Sequence, residues 1–155
     1  MLAVDAVRKP LVTVAADDSI ARAAQLMDNH AVGALVVFDG ERPVGIVTDR
    51  DIAIRAVARG VPNDARVDAV MSRGVIALPA GAELRRALPI FHSHAIRRLP
   101  LVDDTGKIVG VLTTDDLLID LVADLGDIVR PITGQVVFGH NEPANLPIRQ
   151  RQHSD

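Results

Sequence analysis

An internal repeat constrains this chain more than any other feature. The string VDAV at positions 4–7 recurs at positions 67–70, and VG at positions 44–45 recurs at positions 109–110. The offset between matching residues grows from 63 to 65 along the chain, by single insertions that fall at turn signals. Insertions confined to turns are typical of a duplicated domain, so we expect a fold built from two copies of one unit.

Hydrophobic spacing predicts the same series in both copies: strand, helix, strand, strand, helix. The predicted strands are residues 12–14, 34–38 and 44–47 in the first copy and 75–78, 99–102 and 108–112 in the second. The predicted helices are residues 19–29, 49–59, 83–93 and 114–125. Asp18 or Ser19 is available to cap the first helix. Pro89 lies inside the third, where we expect a kink or an early break, because a helix-interior proline costs about 3 kcal/mol.

The two copies divide the chain into expected segments within a mixed α and β fold. Residues 1–60 form the first repeat and residues 61–126 the second, with a turn-rich linker at 59–66. Residues 127–155 form a C-terminal extension. Within it, residues 141–155 are expected to be disordered, because they are polar and include two prolines.

Composition argues against several kinds of function. Lys and Arg number 17 against 20 Asp and Glu, a net charge of −3, which provides no basic surface for nonspecific nucleic-acid binding. The chain has no Cys, which excludes disulfides and Cys-based zinc sites. Apolar runs such as residues 34–38 are about a quarter of a membrane span, and no signal-peptide pattern is present. We expect a cytoplasmic protein without a nucleic-acid or membrane partner.

Four strings carry a family resemblance through their order and spacing. The second copy contains VDAVMS at 67–72, RLPLVD at 98–103 and VGVLTTDDL at 109–117, and the first contains VGIVTDRDI at 44–52. Over residues 4 to about 125, the chain resembles the cystathionine β-synthase (CBS) domain, which occurs in tandem pairs called Bateman modules.

The resemblance implies two tandem βαββα CBS repeats packed sheet to sheet about a pseudo-two-fold axis. It also implies two clefts, which in many members of the family bind an adenosyl ligand such as AMP, ADP, ATP or S-adenosylmethionine. In most proteins that contain it, the pair regulates an attached enzyme or transporter. Because the implied role is regulatory, we expect that the chain requires no cofactor.

A T-x-x-D pattern stands at each predicted strand-to-helix turn, as Thr48 with Asp51 and Thr113 with Asp116. Its structural interpretation is a capping box, which satisfies amides at the start of a helix. The same turn suits a nucleotide, because helix-start amides attract phosphate and a carboxylate can accept two hydrogen bonds from a ribose diol. The resemblance assigns Asp51 and Asp116 to the ribose and Thr48 and Thr113 to the phosphate end. Capping alone favours Glu or Gln at the third position, so Asp favours ligand contact.

The copies differ where their middle strands begin. The second copy has Arg97 and Arg98, whereas the first has the uncharged pair Gly33 and Ala34. A solvated strand end would explain an Arg, but the resemblance implies a phosphate contact for Arg98, which the paired donors of a guanidinium make well. We expect two unequal clefts, at most one of them suited to phosphate. Two placements of Arg98 remain open: it serves its own repeat beside Asp116, or it reaches across to the other repeat of the pseudo-symmetric pair.

The other candidate residues also have plain structural explanations. Val12 and Ile76 lie where the resemblance places the adenine ring, but aliphatic residues on strands are equally well explained as core. His92 and His94 are two positions apart on a predicted helix and so point to different faces, which argues against a metal site. His30 and His94 lie at equivalent helix ends, where capping explains them. No phosphate-binding loop or nucleophile elbow is present, so we expect no enzyme.

Two functional hypotheses remain. The first is a regulatory module that senses an adenosyl ligand in a cleft between the repeats and acts on an unidentified protein. The second is a ligand-independent interaction or stress-response protein that retains only the capping turns. A homodimer is expected under both, because apolar residues cover more than one stripe of the last helix. These residues are Leu117, Leu118, Ile119, Leu121, Val122 and Leu125.

Overall fold

The structure, a computed structural model, describes residues 1–138 and the side chains of residues 1–130. Both sheets lie in a compact unit, Met1–Ile119, and a second unit begins at Asp120. The predicted disorder of residues 141–155 falls outside the described residues. Within the described part of the chain, no helix has both the length and the apolar character needed to span a membrane.

The first repeat builds a four-stranded sheet in the order β1-β2-β3-β4. Its elements are β1 (Thr13–Ala15), α1 (Ile20–His30), β2 (Ala34–Asp39), β3 (Arg42–Thr48), α2 (Asp49–Asp51) and β4 (Ser72–Arg73). Strand β1 is parallel to β2, whereas β2, β3 and β4 are antiparallel neighbours. Helix α2 continues as a wider π turn, Ile52–Ala56, and a 3-10 turn, Val57–Arg59.

The second repeat builds a three-stranded sheet in the order β5-β6-β7. Its elements are β5 (Leu78–Pro79), α3 (Ala87–His94), β6 (Arg98–Val102), β7 (Ile108–Thr113) and α4 (Thr114–Phe138). Strand β5 is parallel to β6, and β6 is antiparallel to β7. The predicted order of strand, helix, strand, strand, helix is present in both copies, which confirms the mixed α and β fold.

The leading segment of each repeat packs in the core of the other repeat. Residues of the first leading segment, Ala3 and Ala6, are buried in one cluster with Leu78, Leu99 and Leu112. Residues of the second leading segment, Val67, Val70 and Met71, are buried with Val14, Leu35 and Val47. Backbone hydrogen bonds also join each leading segment to the other repeat. The amide of Ala3 donates to Ala82 O, and the amide of Val67 donates to Asp18 O. A division at residue 60 therefore separates the repeats in sequence but leaves each core incomplete.

Local sequence explains the ends of the first helix in each repeat. Ser19, rather than Asp18, caps α1, with its Oγ accepting from the amide of Arg22 at 3.0 Å. Helices α1 and α3 both end at an alanine in the left-handed conformation, Ala31 with φ 50° and Ala95 with φ 51°. These alanines are equivalent in the repeat, so both copies make the same turn into the middle strand despite the steric cost to a residue with a Cβ.

Three predicted boundaries are wrong. The helix predicted at 83–93 is a 3-10 turn, Leu84–Arg86, followed by α3, so the break precedes Pro89. Pro89 then lies in the first turn of α3, where an amide has no helical acceptor. Helix α4 continues past residue 125 through Gly126, because a glycine inside a helix costs only about 1 kcal/mol relative to alanine.

The third wrong boundary concerns the strand predicted at 75–78. The strand observed is β5, which begins only at Leu78. Residues 74–77 instead connect β4 in the first sheet to β5 in the second, so they cannot pair regularly with either sheet. Ile76 consequently lies outside the strand and is 41% exposed.

Candidate functional site

The two T-x-x-D turns form complete capping boxes. In the first, the Asp51 amide donates to Thr48 Oγ1 at 3.0 Å and the Thr48 amide donates to Asp51 Oδ2 at 2.9 Å. In the second, the Asp116 amide donates to Thr113 Oγ1 at 3.1 Å and the Thr113 amide donates to Asp116 Oδ2 at 2.9 Å. The Thr113 hydroxyl also donates to that carboxylate oxygen, at 2.8 Å. Capping therefore accounts for both threonines and for one oxygen of each aspartate.

The second oxygen of each aspartate has a different environment. Asp51 Oδ1 lies 3.6 Å from Arg55 Nε, and Arg55 Nη1 donates to the carbonyls of Val70 and Met71 at 3.1 and 3.0 Å. Arg55 thus braces Asp51 against the chain that leads into β4. Asp116 is only 6% exposed, and among the described residues its Oδ1 accepts no hydrogen bond. Both carboxylates keep an oxygen that a hydroxyl-bearing ligand can use.

A cavity of about 900 Å³, here called the large cleft, gathers residues from both repeats. Its lining includes Thr48, Asp49, Arg50 and Asp51 from the β3–α2 turn, residues 72–76, and residues 95–98. Among these are five of the predicted site residues, namely Thr48, Asp51, Ile76, Arg97 and Arg98. The large cleft therefore brings together the residues that the sequence analysis assigned to ribose, adenine and phosphate, although they are far apart in sequence.

A second cavity of about 220 Å³, here called the small cleft, contains the other T-x-x-D turn. It is lined by Thr113, Asp115, Asp116 and Val12, together with Arg8, Lys9, Gly33 and Arg98. Ligand pockets in proteins usually enclose about 300 to 1,000 Å³. The large cleft falls inside this range and the small cleft falls below it.

Of the two placements left open for Arg98, the structure has the one that reaches across to the other repeat. In strand register it pairs with Thr113 of the neighbouring β7, but its Nη2 lies 3.9 Å from Asp49 Oδ1 in the first repeat. A Cβ at Gly33 would lie 2.6 Å from that same Nη2. The guanidinium crosses because the first repeat, with glycine at position 33, leaves space for it. Arg98 consequently lines both clefts, whereas Arg97 lines the large cleft.

Backbone hydrogen bonds fix the strand starts against the helix starts in the same way in both repeats. The Asp49 amide donates to Gly33 O at 3.1 Å, and the Thr114 amide donates to Arg97 O at 3.1 Å. These bonds hold the residues before β2 and β6 beside the capping boxes. The position of Arg97 relative to the second turn thus follows from the β6–β7 hairpin, and its Nη2 lies 3.8 Å from Asp115 Oδ1.

Positive charge exceeds negative charge in the lining of the large cleft. Arg50, Arg73, Arg97 and Arg98 supply four guanidinium groups, against the carboxylates of Asp49 and Asp51. Asp49 is well exposed, with 66% of its side chain accessible, so solvent screens much of its charge. The cleft is therefore electrostatically suited to an anion.

Cleft residues that follow the VDAV string in each copy were not predicted from the sequence. Residues 71–73 lead into the wall of the large cleft, and the equivalent residues 8–10 line the small cleft. Because the string itself is repeated, the residues that follow it are equivalent too. Extending the alignment by three positions would have identified Arg8, Lys9 and Arg73 as candidates.

The contacts of His94 are those of a residue that stabilises a helix end. His94 Nδ1 lies 3.2 Å from the carbonyl of Ile90 and 2.9 Å from Ser93 Oγ, as expected for a residue that caps a helix end. In the described part of the chain, no group of three or more His, Cys, Asp or Glu side chains is placed to hold a metal ion.

Relatives of known sequence share the repeat. The chain is 33% identical over 113 residues to an uncharacterized protein of Methanopyrus kandleri, covering 72% of this chain and 58% of that protein. It is 34% identical over 120 residues to the CBS domain-containing protein YhcV of Bacillus subtilis, covering 77% and 85% respectively. It is 32% identical over 116 residues to inosine-5'-monophosphate dehydrogenase of Methanocaldococcus jannaschii, covering 74% of this chain but 22% of that enzyme. The chain thus spans just over half of the first relative and a small part of the third.

Solved structures share the fold, and the family model matches both repeats. An uncharacterized conserved protein from Pyrococcus horikoshii has a TM-score of 0.69 at 33% identity, covering 76% of this chain and 89% of that chain. The CBS domain pair of protein MJ0100, solved with 5'-methylthioadenosine and S-adenosyl-L-methionine, has a TM-score of 0.70 at 28% identity, covering 80% and 98%. The model of the CBS domain matches residues 3–57 and 67–123. With two matches that coincide with the two structural repeats, this chain belongs to the CBS domain family and contains a tandem pair of CBS domains.

Proposed function

We propose that this chain is a regulatory module that binds an adenine nucleotide in the large cleft. The observation that carries the proposal is the convergence of Asp51, Ile76 and the Arg97–Arg98 pair on one cavity of about 900 Å³. Each of these residue types suits a different part of a nucleotide, and the two repeats contribute them together. A ligand bound there would contact both CBS domains at once.

Each residue has a role that its chemistry supports. Asp51 Oδ1 faces Arg55 rather than the capping amide and is the acceptor for the ribose hydroxyls. Ile76 is 41% exposed and offers an aliphatic surface to the adenine ring, which argues against a purely core role. Arg97 and Arg98 bind phosphate, and the Thr48 side chain lies at the phosphate end.

Charge favours phosphorylated ligands over the other adenosyl ligands. The four arginines of the large cleft would attract AMP, ADP or ATP, whereas S-adenosylmethionine brings a sulfonium and an ammonium group. The domain pair of protein MJ0100 was solved with S-adenosylmethionine, which supports an adenosyl ligand as a class. Within that class we assign the nucleotides to this chain.

The small cleft is a weaker second site. It contains an equivalent residue for each part of the ligand, with Thr113 at the phosphate end, Asp116 for the ribose and Val12 for the adenine. The volume of the small cleft, about 220 Å³, leaves less room for a ligand. We assign it the lower affinity, which reverses the expected pairing of Asp116 with the better phosphate site.

The proposed role is regulatory and not catalytic, and it requires no cofactor. In this role, occupancy of the large cleft would be passed to an unidentified protein through the surface of the pair. A cytoplasmic location belongs to the proposal, because that is where free adenine nucleotides vary with metabolic state.

We also propose a homodimer formed through α4. Leu118, Leu121, Val122 and Leu125 are each more than half exposed and recur at helical spacing, so they form one apolar stripe. A second copy of this chain would bury the stripe, which is otherwise costly in water. Sedimentation velocity at micromolar concentration should give a mass of about twice the 16.5 kDa chain. A single species at the chain mass would contradict the dimer.

Thermal unfolding with a panel of ligands tests the nucleotide proposal. AMP, ADP and ATP at about 100 times the dissociation constant should each stabilise the protein by roughly 2.7 kcal/mol. Adenosine, with its ribose but no phosphate, should stabilise it less, and inorganic phosphate alone should do little. No stabilisation by any nucleotide at millimolar concentration would favour the ligand-independent alternative, which the completeness of the capping boxes supports.

A further inference from the structure

We propose that Arg98 couples the two clefts negatively, so that a phosphorylated ligand in one cleft weakens phosphate binding in the other. This inference rests on the proposed nucleotide site and adds a regulatory property to it. The observation behind it is that one guanidinium lines both cavities. Two ligands cannot use the same donors fully at the same time.

The position of Arg98 places it on the wall between the clefts. Its backbone starts β6 beside Thr113, which belongs to the small cleft. Its guanidinium reaches Asp49, which belongs to the large cleft, with 3.9 Å between Nη2 and Oδ1. The side chain is 28% accessible, so it is partly buried between the repeats rather than extended into solvent.

The first repeat has no guanidinium at the two positions equivalent to Arg97 and Arg98. Gly33 and Ala34 occupy the positions equivalent to Arg97 and Arg98. Moreover, a Cβ at Gly33 would lie 2.6 Å from Arg98 Nη2 and 2.9 Å from Asp49 Oδ2, so glycine there keeps the crossing path open. Lys9 also lines the small cleft, but its Nζ already donates to the carbonyl of Ala31.

The sign of the coupling follows from charge and geometry. A guanidinium is planar, and its donors form a rigid fork that binds a phosphate best when aimed at it. When a phosphate in one cleft binds the donors of Arg98, a phosphate in the other cleft loses that contact and is repelled by the negative charge of the first. Coupling of this kind is reciprocal, so each ligand weakens the other by the same factor. Adenosine, which lacks phosphate, should show no such effect.

Calorimetry with AMP tests the coupling when the large cleft is disabled. Asp51→Ala removes the ribose acceptor, and Ile76→Trp places a larger side chain at an exposed position in the lining of the large cleft. We expect the small cleft of each variant to be filled while the large cleft is still mostly empty, whereas in the wild type the small cleft is filled second. We expect AMP to bind the small cleft of both variants at least fivefold more tightly than in the second wild-type step, within the usual range of allosteric coupling. Adding Arg98→Ala to either variant should abolish the gain.

The outcomes separate this inference from the proposed function. Equal AMP affinities in the second wild-type step and in both variants would overturn the coupling and leave the nucleotide site intact. Loss of all AMP binding in both variants, with one step in the wild type, would also overturn it, because the small cleft would then take no phosphate. No AMP binding to the wild type would overturn the proposed function itself. Adenosine serves as the control, with the same small-cleft affinity expected in wild type and variants.

Discussion

The large and small clefts contain the same capping turn but differ in the walls around it. In the large cleft the wall next to the turn is β4, which pairs with β3 through Gly45 and Arg73. In the small cleft the equivalent wall is residues 8–10, which form no strand. The duplicated motif therefore supplies two similar T-x-x-D turns, whereas the segments that face each turn determine the volume and the charge of the cleft.

Proline explains part of this difference. Pro10 is equivalent to Arg73 and has no amide to donate to a neighbouring strand. The first sheet can therefore add β4 as a fourth strand, and the second sheet stops at three.

The largest expected effect is on stability and separates two equivalent glycines. A Cβ at Gly45 would lie 2.3 Å from Ser72 O, whereas a Cβ at Gly110 would lie 3.5 Å from the nearest atom of Val7. Gly45→Ala should therefore force β4 away and destabilise the protein by about 2 to 3 kcal/mol, lowering Tm by roughly 4 to 12 °C. Gly110→Ala, the matched control, should change Tm little. Equal losses in differential scanning calorimetry would mean that the two sheet edges are alike.

The next effect is on nucleotide affinity and separates the two aspartates. Asp51→Ala should remove charged hydrogen bonds worth about 1.5 to 3 kcal/mol, a loss of roughly 10- to 150-fold in the tighter AMP binding step. Asp116→Ala should leave that step nearly unchanged. Both variants lose a capping box and about 1 kcal/mol of stability, so the melting temperatures control for folding. If affinity holds in both while Tm falls in both, the turns are caps only.

A smaller effect is expected at Arg55, which braces only the first turn. Its donors bind the carbonyls of Val70 and Met71, and the equivalent position in the second repeat carries Asp120, an acid that cannot donate in this way. Arg55→Ala should cost about 1 kcal/mol of stability and weaken AMP and adenosine severalfold and equally, because it positions the ribose acceptor. In an Asp51→Ala background the added affinity loss should vanish. A loss that persists there would show that Arg55 acts by another route.

The smallest effect concerns the hairpin turns. Asp103 Oδ1 accepts from the Thr105 hydroxyl at 2.6 Å and from the Lys107 amide at 3.0 Å, and these hydrogen bonds lower the pKa of Asp103. A lowered pKa means that the carboxylate stabilises the fold above its unfolded pKa and loses this contribution as pH falls through the folded value. Asp103→Ala should lower Tm by at most about 2 °C at neutral pH, and the difference from wild type should shrink in acid.

Asp39, the equivalent residue, precedes a shorter turn with Gly40 at φ 59° and is the control. Asp39→Ala should give a smaller Tm difference from wild type at neutral pH. Equal Tm losses at the two positions would show that turn length does not matter.

Structural features formed by residues close together in sequence were predicted correctly. The repeat alignment located both capping boxes, and pairs of continuous apolar runs separated by a turn located both hairpins, because these features depend on neighbours a few positions away. The predicted ends of strands and helices were wrong where pairing with a distant part of the chain determines them. Val75 and Ile76 have strand-forming side chains, but the chain there crosses from one sheet to the other and so pairs with neither.

The sequence by itself determined that this chain is two copies of one βαββα unit, each with a T-x-x-D turn, because local periodicity and capping are properties of adjacent residues. Only the tertiary structure decided which residues share a cleft. Arg98 lies in the second repeat in sequence, yet its guanidinium lies 3.9 Å from Asp49 of the first repeat, beside Gly33. That contact joins two repeats whose leading segments each pack in the core of the other repeat, and no spacing within either repeat encodes it.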